Sequence, residues 1–180
     1  MDILEYNGET YTRRNKKWVD SRSFVVHDGL QRELNDKFVD SLDIESMSAA
    51  EAIEYGDKFK EGSSYSLAIR FYERAAEVGD TETLRPLLPR ITSCYRKLNK
   101  PENVIKILTL ANKKYGIQIV DHVLLISAAA AYCDLGDFES AEKCCKRAYA
   151  ILNGKPTGEL YGVWGRIDKA MGIKKHIGKK

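Results

Sequence analysis

The alternation of apolar and polar positions predicts that the first fifty residues fold differently from the rest of the chain. Two short stretches of β-favouring residues, 3–6 and 9–13, flank Asn7-Gly8. Both residues of that pair accept the positive φ angles of a two-residue hairpin turn. Trp18-Val19 and 24–26 are further short stretches of the same kind. We therefore expect a small β-meander at the start of the chain.

An amphipathic helix is expected after the meander. Apolar residues recur every fourth position and form one stripe, made of Leu30, Leu34, Phe38 and Leu42. Asp28-Gly29-Leu30-Gln31 has the spacing of a capping box, which places the start of the helix there. Two isolated strands are only marginally stable in water. We therefore expect residues 1–47 to dock on the helical remainder of the chain. The contacts expected there are the stripe and four aromatic residues, Tyr6, Tyr11, Trp18 and Phe24.

A basic turn interrupts the meander at Arg13, Arg14, Lys16 and Lys17. One interpretation is a contact for a phosphate or an acidic peptide. The other is a solvated hairpin tip, which we favour because clustered charges usually face water.

From residue 48 onward the pattern repeats at helical spacing. Five positions recur in each of three units, separated by the same steps of 3, 9, 4 and 3 residues, and successive units are 36 and 37 residues apart. The positions are Gly56, Phe59, Ala68, Tyr72 and Ala75, then Thr92, Tyr95, Val104, Leu108 and Ala111, then Ala129, Tyr132, Ala141, Cys145 and Ala148. Self-similarity at such a period is typical of helical repeat proteins.

The small residues in this pattern predict how closely each helix pair packs. In the first and third units a small residue on one helix faces a small residue on the other, so the backbones can approach. Thr92 and Val104 replace those small residues in the second unit, so we expect that pair to pack at a wider distance. One more period leads from Ala129 to Gly165.

Local signals give the boundaries of the units. Ser48 and Glu51 have capping-box spacing, and Pro101 suits the first turn of a helix. The units are expected at 49–82, 85–118 and 122–155, within a helical domain at 48–173. A capping helix at 157–172 covers the last apolar face, as a stack of repeats requires. A basic tail follows at 174–180.

This pattern resembles the tetratricopeptide-repeat (TPR) family. The third unit, with its segment Ala131-Tyr132-Cys133-Asp134-Leu135-Gly136-Asp137-Phe138-Glu139-Ser140-Ala141, carries the resemblance best, and it extends over residues 49–172. It implies a mainly α-helical fold, a solenoid in which antiparallel helix pairs form a right-handed superhelix. The proline that usually closes each unit is replaced by Asp80, Gly116 and Asn153.

The resemblance also implies a ligand surface, the concave groove lined by the first helix of each pair. The matching positions are Ile53, Asp57, Lys60, Pro89, Ser93, Arg96, Val123, Ile126, Ala130 and Cys133. Members that clamp chaperone C-termini carry Lys, Asn and Arg in the groove. Here those positions hold Ile53, Asp57, Ser93, Ile126 and Ala130, which does not support such a clamp. The groove suits an amphipathic helix or an extended apolar segment of a protein partner. Alternatively, the chain's own helix at 30–42 occupies or borders it.

Composition and charge narrow the function classes. The chain has 180 residues, 43% hydrophobic and 31% charged, with a net charge of +3, which gives no reason to expect a dedicated nucleic-acid binder. No apolar run reaches the roughly 18–20 residues of a membrane span. No secretory signal is visible and the four cysteines lack zinc-site spacing, so we expect a cytoplasmic protein with reduced thiols.

Candidate chemistry is sparse. The sequence has no phosphate-binding loop, no HExxH and no GxSxG, and its three histidines lie in separate contexts. We expect Cys145 to be a core residue, and a redox role for partly exposed Cys94 and Cys133 is a minor alternative. The leading hypothesis is a non-catalytic adaptor without cofactor or metal, either a monomer or a homodimer. The alternative is a regulatory or RNA-associated protein that uses the basic hairpin and the Lys-rich tail.

Overall fold

A computed structural model of the chain describes residues 2–172, except for the side chain of Lys114. The predicted basic tail, 174–180, lies outside the described residues. The described part is mainly α-helical, with a small antiparallel sheet near its start. It divides into two compact units, Met1–Gly79 and Asp80–Lys180. The first unit contains the first helix pair together with the N-terminal module, for which the sequence predicts a boundary at 47/48.

The N-terminal sheet has the expected meander topology. Strand β1 is Ile3–Tyr6, β2 is Glu9–Arg14 and β3 is Lys17–Val19, in the order β1-β2-β3 with antiparallel pairing. The hairpin turn at Asn7 and Gly8 has positive φ angles of 52° and 80°, as the sequence predicted.

The β-favouring stretch at 24–26 does not form a strand. Only an isolated bridge joins Val25 to Val19. The Asp20 carboxylate accepts backbone N–H groups of Arg22 and Phe24, at 3.0 and 2.8 Å, and this bends the chain tightly before it can pair at length. Phe24 is therefore 66% exposed, and the prediction that it docks on the helices was wrong.

Helix α1, Asp28–Asp40, begins where the sequence predicted but has a different cap. His27 is the N-cap residue, and its Nδ1 accepts the Leu30 N–H at 3.3 Å. Gln31, the expected capping-box partner, binds the sheet instead. Its Oε1 accepts the Trp18 N–H and its Nε2 donates to the Trp18 carbonyl, both at 2.8 Å.

A chain of aromatic rings ties the sheet and α1 to the first helix pair, which consists of α2, Ala49–Glu61, and α3, Tyr65–Val78. Successive ring centroids are 5.3–6.2 Å apart. The rings in order are Trp18, Phe38, Tyr55, Phe71 and Phe59. Aromatic side chains bury large areas, so this contact accounts for the single unit that ends at residue 79.

Residues 80–172 of the second unit form five helices. They are α4, Thr81–Lys97; α5, Pro101–Tyr115; α6, His122–Asp134; α7, Phe138–Ile151; and α8, Gly158–Met171. Helix α4 starts four residues before the predicted second unit, because the Asp80 carboxylate caps it by accepting the Thr83 N–H at 2.8 Å. Helix α6 is central and contacts α4, α5, α7 and α8.

The repeated small residues are buried in the first and third pairs, but the close neighbour of Gly56 is Tyr72 of α3, whereas the spacing predicted Ala68. Gly56 lies so close to Tyr72 that a Cβ atom built on it would be 2.4 Å from the ring. Ala129 and Ala141 are fully buried. Helices α4 and α5 approach each other over a smaller part of their lengths, which confirms the wider packing expected for the second pair.

The extension of the period to Gly165 has no packing counterpart. Within residues 2–172, a Cβ atom built on Gly165 would meet no neighbour within 4 Å. None of the helices described here is both long enough and apolar enough to cross a membrane.

Candidate functional site

The predicted groove residues of the first unit lie on α2 and are half-buried. They are Ile53, Asp57 and Lys60. Asp57 is already engaged, because its carboxylate accepts a 2.6 Å hydrogen bond from the Tyr72 hydroxyl of α3. This bond holds the Tyr72 ring that packs on Gly56, so Asp57 stabilises the contact between α2 and α3.

The predicted residues on α6 are mostly inside the second unit. Ile126, Ala130 and Cys133 are only 2%, 3% and 6% exposed and belong to one apolar cluster with four residues of α8. Those residues are Leu160, Val163, Trp164 and Ile167. Helix α6 is apolar around its whole circumference, so it requires cover on every side. Among the predicted α6 positions, Val123 at 41% exposure is the one open to solvent.

The predicted residues on α4 lie on a half-open face. Pro89, Ser93 and Arg96 are half-buried, and with exposed Arg85 they follow one another at steps of four, four and three residues. Such steps place side chains on one side of a helix. We call this set, Arg85, Pro89, Ser93 and Arg96, the α4 stripe. Proline has no N–H, so Pro89 cannot donate the usual helical hydrogen bond to the Arg85 carbonyl.

Arg96 links three helices at the end of the stripe. Its Nη1 lies 2.6 Å from Glu159 Oε1 on α8 and 3.4 Å from Ser127 Oγ on α6. The Arg96 side chain is 32% exposed and that of Glu159 is 49% exposed. Ion pairs that face water contribute little net stability, so an incoming carboxylate can replace Glu159 at small cost.

A pocket of about 490 Å³ lies on α5, α6 and α7 and was not predicted from the sequence. Leu108, Leu125 and Ala128 form apolar walls, while Lys113 and Arg147 contribute cations. The Arg147 guanidinium also donates to the Ile119 carbonyl at 2.9 Å. The lining comes from three helices and from Gln118 and Ile119 between α5 and α6, so the pocket depends on contacts between segments distant in the sequence, and no local signal predicted it.

The cysteines differ from expectation in their exposure. None of the four, all within residues 2–172, forms a disulfide, and Cys94 and Cys133, for which partial exposure was the minor alternative, are buried. Burial raises the pKa of Cys133, and it raises the pKa of Cys145 to about 12. The thiolate is the reactive form, so neither of these two groups is a reactive thiol near neutral pH. No cluster of three or more His, Cys, Asp or Glu side chains that could hold a metal occurs within 2–172.

The basic turn is not uniformly solvated. Arg14, Lys16 and Lys17 are exposed, but the Arg13 side chain is only 6% exposed and lies over the Phe59 ring, 4.6 Å from its centroid. The interpretation of the whole turn as a solvated tip was therefore wrong for Arg13. The β-favouring stretch 9–13 placed Arg13 in a strand, but it did not show what that strand packs on.

Searches with this sequence find no matching protein-family model and no matching curated protein. The described residues form packed adjacent helix pairs, an arrangement compatible with a helical repeat.

Proposed function

We propose that this chain is a non-catalytic interaction module of the TPR kind, which binds a peptide or protein segment. The observation that supports this best is the α4 stripe, a half-open face with an apolar part at Pro89 and a replaceable ion pair at Arg96. Helix α4 packs on the buried helix α6, which supports the stripe and lowers the entropic cost of binding.

The proposed contact has two parts. Apolar side chains of the partner pack on Pro89 and on exposed Val123, and an acidic group of the partner takes the place of Glu159 at Arg96. A segment with apolar and acidic residues at short spacing fits this surface. Ile126, Ala130 and Cys133 support the surface from inside, while Ile53, Asp57 and Lys60 stay predicted contacts.

The test uses random 12-residue peptides displayed on phage and selected on the full chain. Affinities of enriched peptides are then measured by fluorescence anisotropy for variants of the stripe. We expect Arg96→Gln to weaken binding about tenfold, a typical loss for a central charged contact. Glu159→Gln should strengthen binding about threefold, because Arg96 loses its internal competitor.

Lys97→Gln is the matched control, since Lys97 is the exposed neighbour of Arg96 and lies off the stripe. It should change affinity less than about twofold. Equal effects of Arg96→Gln and Lys97→Gln would mean that the peptides respond to general charge, and the proposed surface would be rejected.

A further inference from the structure

Arg13 on β2 is a buried cation with unused hydrogen-bonding capacity. Its guanidinium carbon lies over the rings of Phe59 and Trp18, 4.6 and 6.0 Å from their centroids. Within the described part of the chain, the buried Nη1 atom has no hydrogen-bond acceptor. The Asp2 carboxylate forms an ion pair with Nη1 at 3.9 Å, which is beyond hydrogen-bond reach. A buried donor without an acceptor is costly, so this site favours an added oxygen ligand.

A pocket of about 250 Å³ opens beside Arg13. Its lining consists of Asp2, Arg13, Lys16, Lys58 and Glu61, which places three cations against two carboxylates. We call these five residues the Arg13 pocket. Desolvation lowers the pKa of Arg13, and the Asp2 carboxylate opposes that shift. Arginine still remains charged at any physiological pH.

The two lysines of the Arg13 pocket are available to a ligand. Lys16 pairs with Glu61 at 3.0 Å, and both side chains are more than half exposed. Lys58 pairs with Glu54 at 3.0 Å, with side chains 42% and 68% exposed. Ion pairs this exposed contribute little net free energy, so each lysine can turn to a stronger anion at small cost.

We propose that the Arg13 pocket binds a phosphate group, either free phosphate or the phosphate of a monoester. The planar guanidinium suits a phosphate because it can donate two parallel hydrogen bonds, and lysines add point charges. The site is in the first unit and its argument is independent of the α4 stripe.

The negative charge of Asp2 makes the Arg13 pocket favour a phosphate over a carboxylate ligand. The Arg13 N–H donates to the Asp2 carbonyl at 2.9 Å, so the backbone holds the Asp2 carboxylate opposite the guanidinium. A free carboxylate brings no more charge than this tethered one, which competes at high effective concentration. A phosphate dianion brings more charge and also engages Lys16 and Lys58, so it displaces the Asp2 side chain.

The test is a titration of the full chain, in a phosphate-free buffer, with inorganic phosphate and separately with N-acetyl-phosphoserine amide. Binding is followed by isothermal titration calorimetry and ³¹P NMR. Arg13 also packs on Phe59, so the variants change its neighbours instead. We expect Lys58→Gln to weaken binding about fivefold and Asp2→Asn to strengthen it about threefold.

Two control variants remove one positive and one negative charge, as the test variants do, but outside the Arg13 pocket. Arg14→Gln removes an exposed cation of the same turn, and Glu5→Gln removes an exposed carboxylate of β1. Both should leave affinity within about twofold of the original chain. Saturable binding of either probe supports the site. Which of the two probes binds shows whether the pocket takes free phosphate, a phosphate monoester or both.

Three outcomes would overturn the proposal. The first is no saturable binding of either probe. The second is an equal loss with Lys58→Gln and Arg14→Gln, which would reveal general attraction to a positively charged chain. The third is unchanged affinity in Asp2→Asn, which would show that the ligand does not meet Arg13.

Discussion

The first and third helix pairs pack through small residues and the second pair does not, although all three share one spacing of core positions. Gly56 allows the Tyr72 ring to touch the backbone of α2, and Ala129 and Ala141 are fully buried in the third pair. Thr92 and Val104 occupy the same positions in the second pair and are also fully buried. Burial alone is therefore not the difference; the size of the residue at the contact sets the distance between the helices.

The second unit also contains a pocket where α5 meets the third helix pair. The pocket of about 490 Å³ has one wall on α5, at Leu108 and its neighbours, and another on α7 at Cys144. Because its lining also includes residues of α6, the pocket lies between the second and third helix pairs and not at the contact of α4 with α5.

The largest effect is expected at the tightest contact. Gly56→Ala places a methyl group 2.4 Å from Tyr72 Cε1, and the ring cannot move freely because its hydroxyl donates to Asp57. We expect a loss of about 3 kcal/mol in the free energy of unfolding, measured by urea denaturation.

Gly165→Ala is the matched control for that change. It is also a helical glycine, but the described residues leave space around it. Alanine has the higher helix propensity, so this variant should gain about 0.5–1 kcal/mol. A stabilising Gly56→Ala would contradict the close approach of α2 and α3.

A smaller difference should separate the second and third pairs. Ala141→Val overfills a fully buried contact and should cost about 2 kcal/mol. Val104→Ala removes methyl groups from a pair that is less closely packed, and should cost about 1 kcal/mol because the site can relax. Urea denaturation of both variants provides the comparison. The reverse order of costs would mean that the second pair is the tighter one.

The smallest expected effect concerns the thiol beside the pocket. Cys144 is half-buried, whereas Cys94, Cys133 and Cys145 are buried. We expect iodoacetamide at pH 8 to alkylate Cys144 about tenfold faster than the other three, as measured by peptide mass spectrometry. In urea the four rates should converge. Faster reaction at Cys145, whose pKa burial raises to about 12, would contradict the packing of α7.

The sequence predicted the parts of the fold that depend on local chemistry. Asn7-Gly8 forms the hairpin turn, the Ser48–Glu51 capping box is present, and Pro101 and Thr157 stand at helix starts. The wider second pair also followed from its residues, because a small-residue contact depends on only two positions. Each of these features depends only on residues within one turn or one helix pair.

What the sequence missed depends on contacts between distant segments. Helical spacing placed Ile126, Ala130 and Cys133 on one side of α6, but it could not show that α8 covers that side. Arg13 belongs to a charged cluster in the sequence, yet the rings of Phe59 and Trp18 remove it from water. The binding roles of all ten groove positions stay predictions. The proposed surface includes the positions on α4 and, on α6, the exposed Val123.

The side chain of Gln31 covers part of the outer edge of β3. The outer backbone groups of Trp18, on the side away from β2, both bond to the Gln31 amide. An open strand edge is a template on which another chain can pair and aggregate. Gln31 on α1 shares this cover with residues 24–26, because the Val26 N–H also donates to the Trp18 carbonyl, at 3.2 Å, and Val25 forms a bridge with Val19. A side chain and a short irregular segment together therefore close the edge of β3 to another strand.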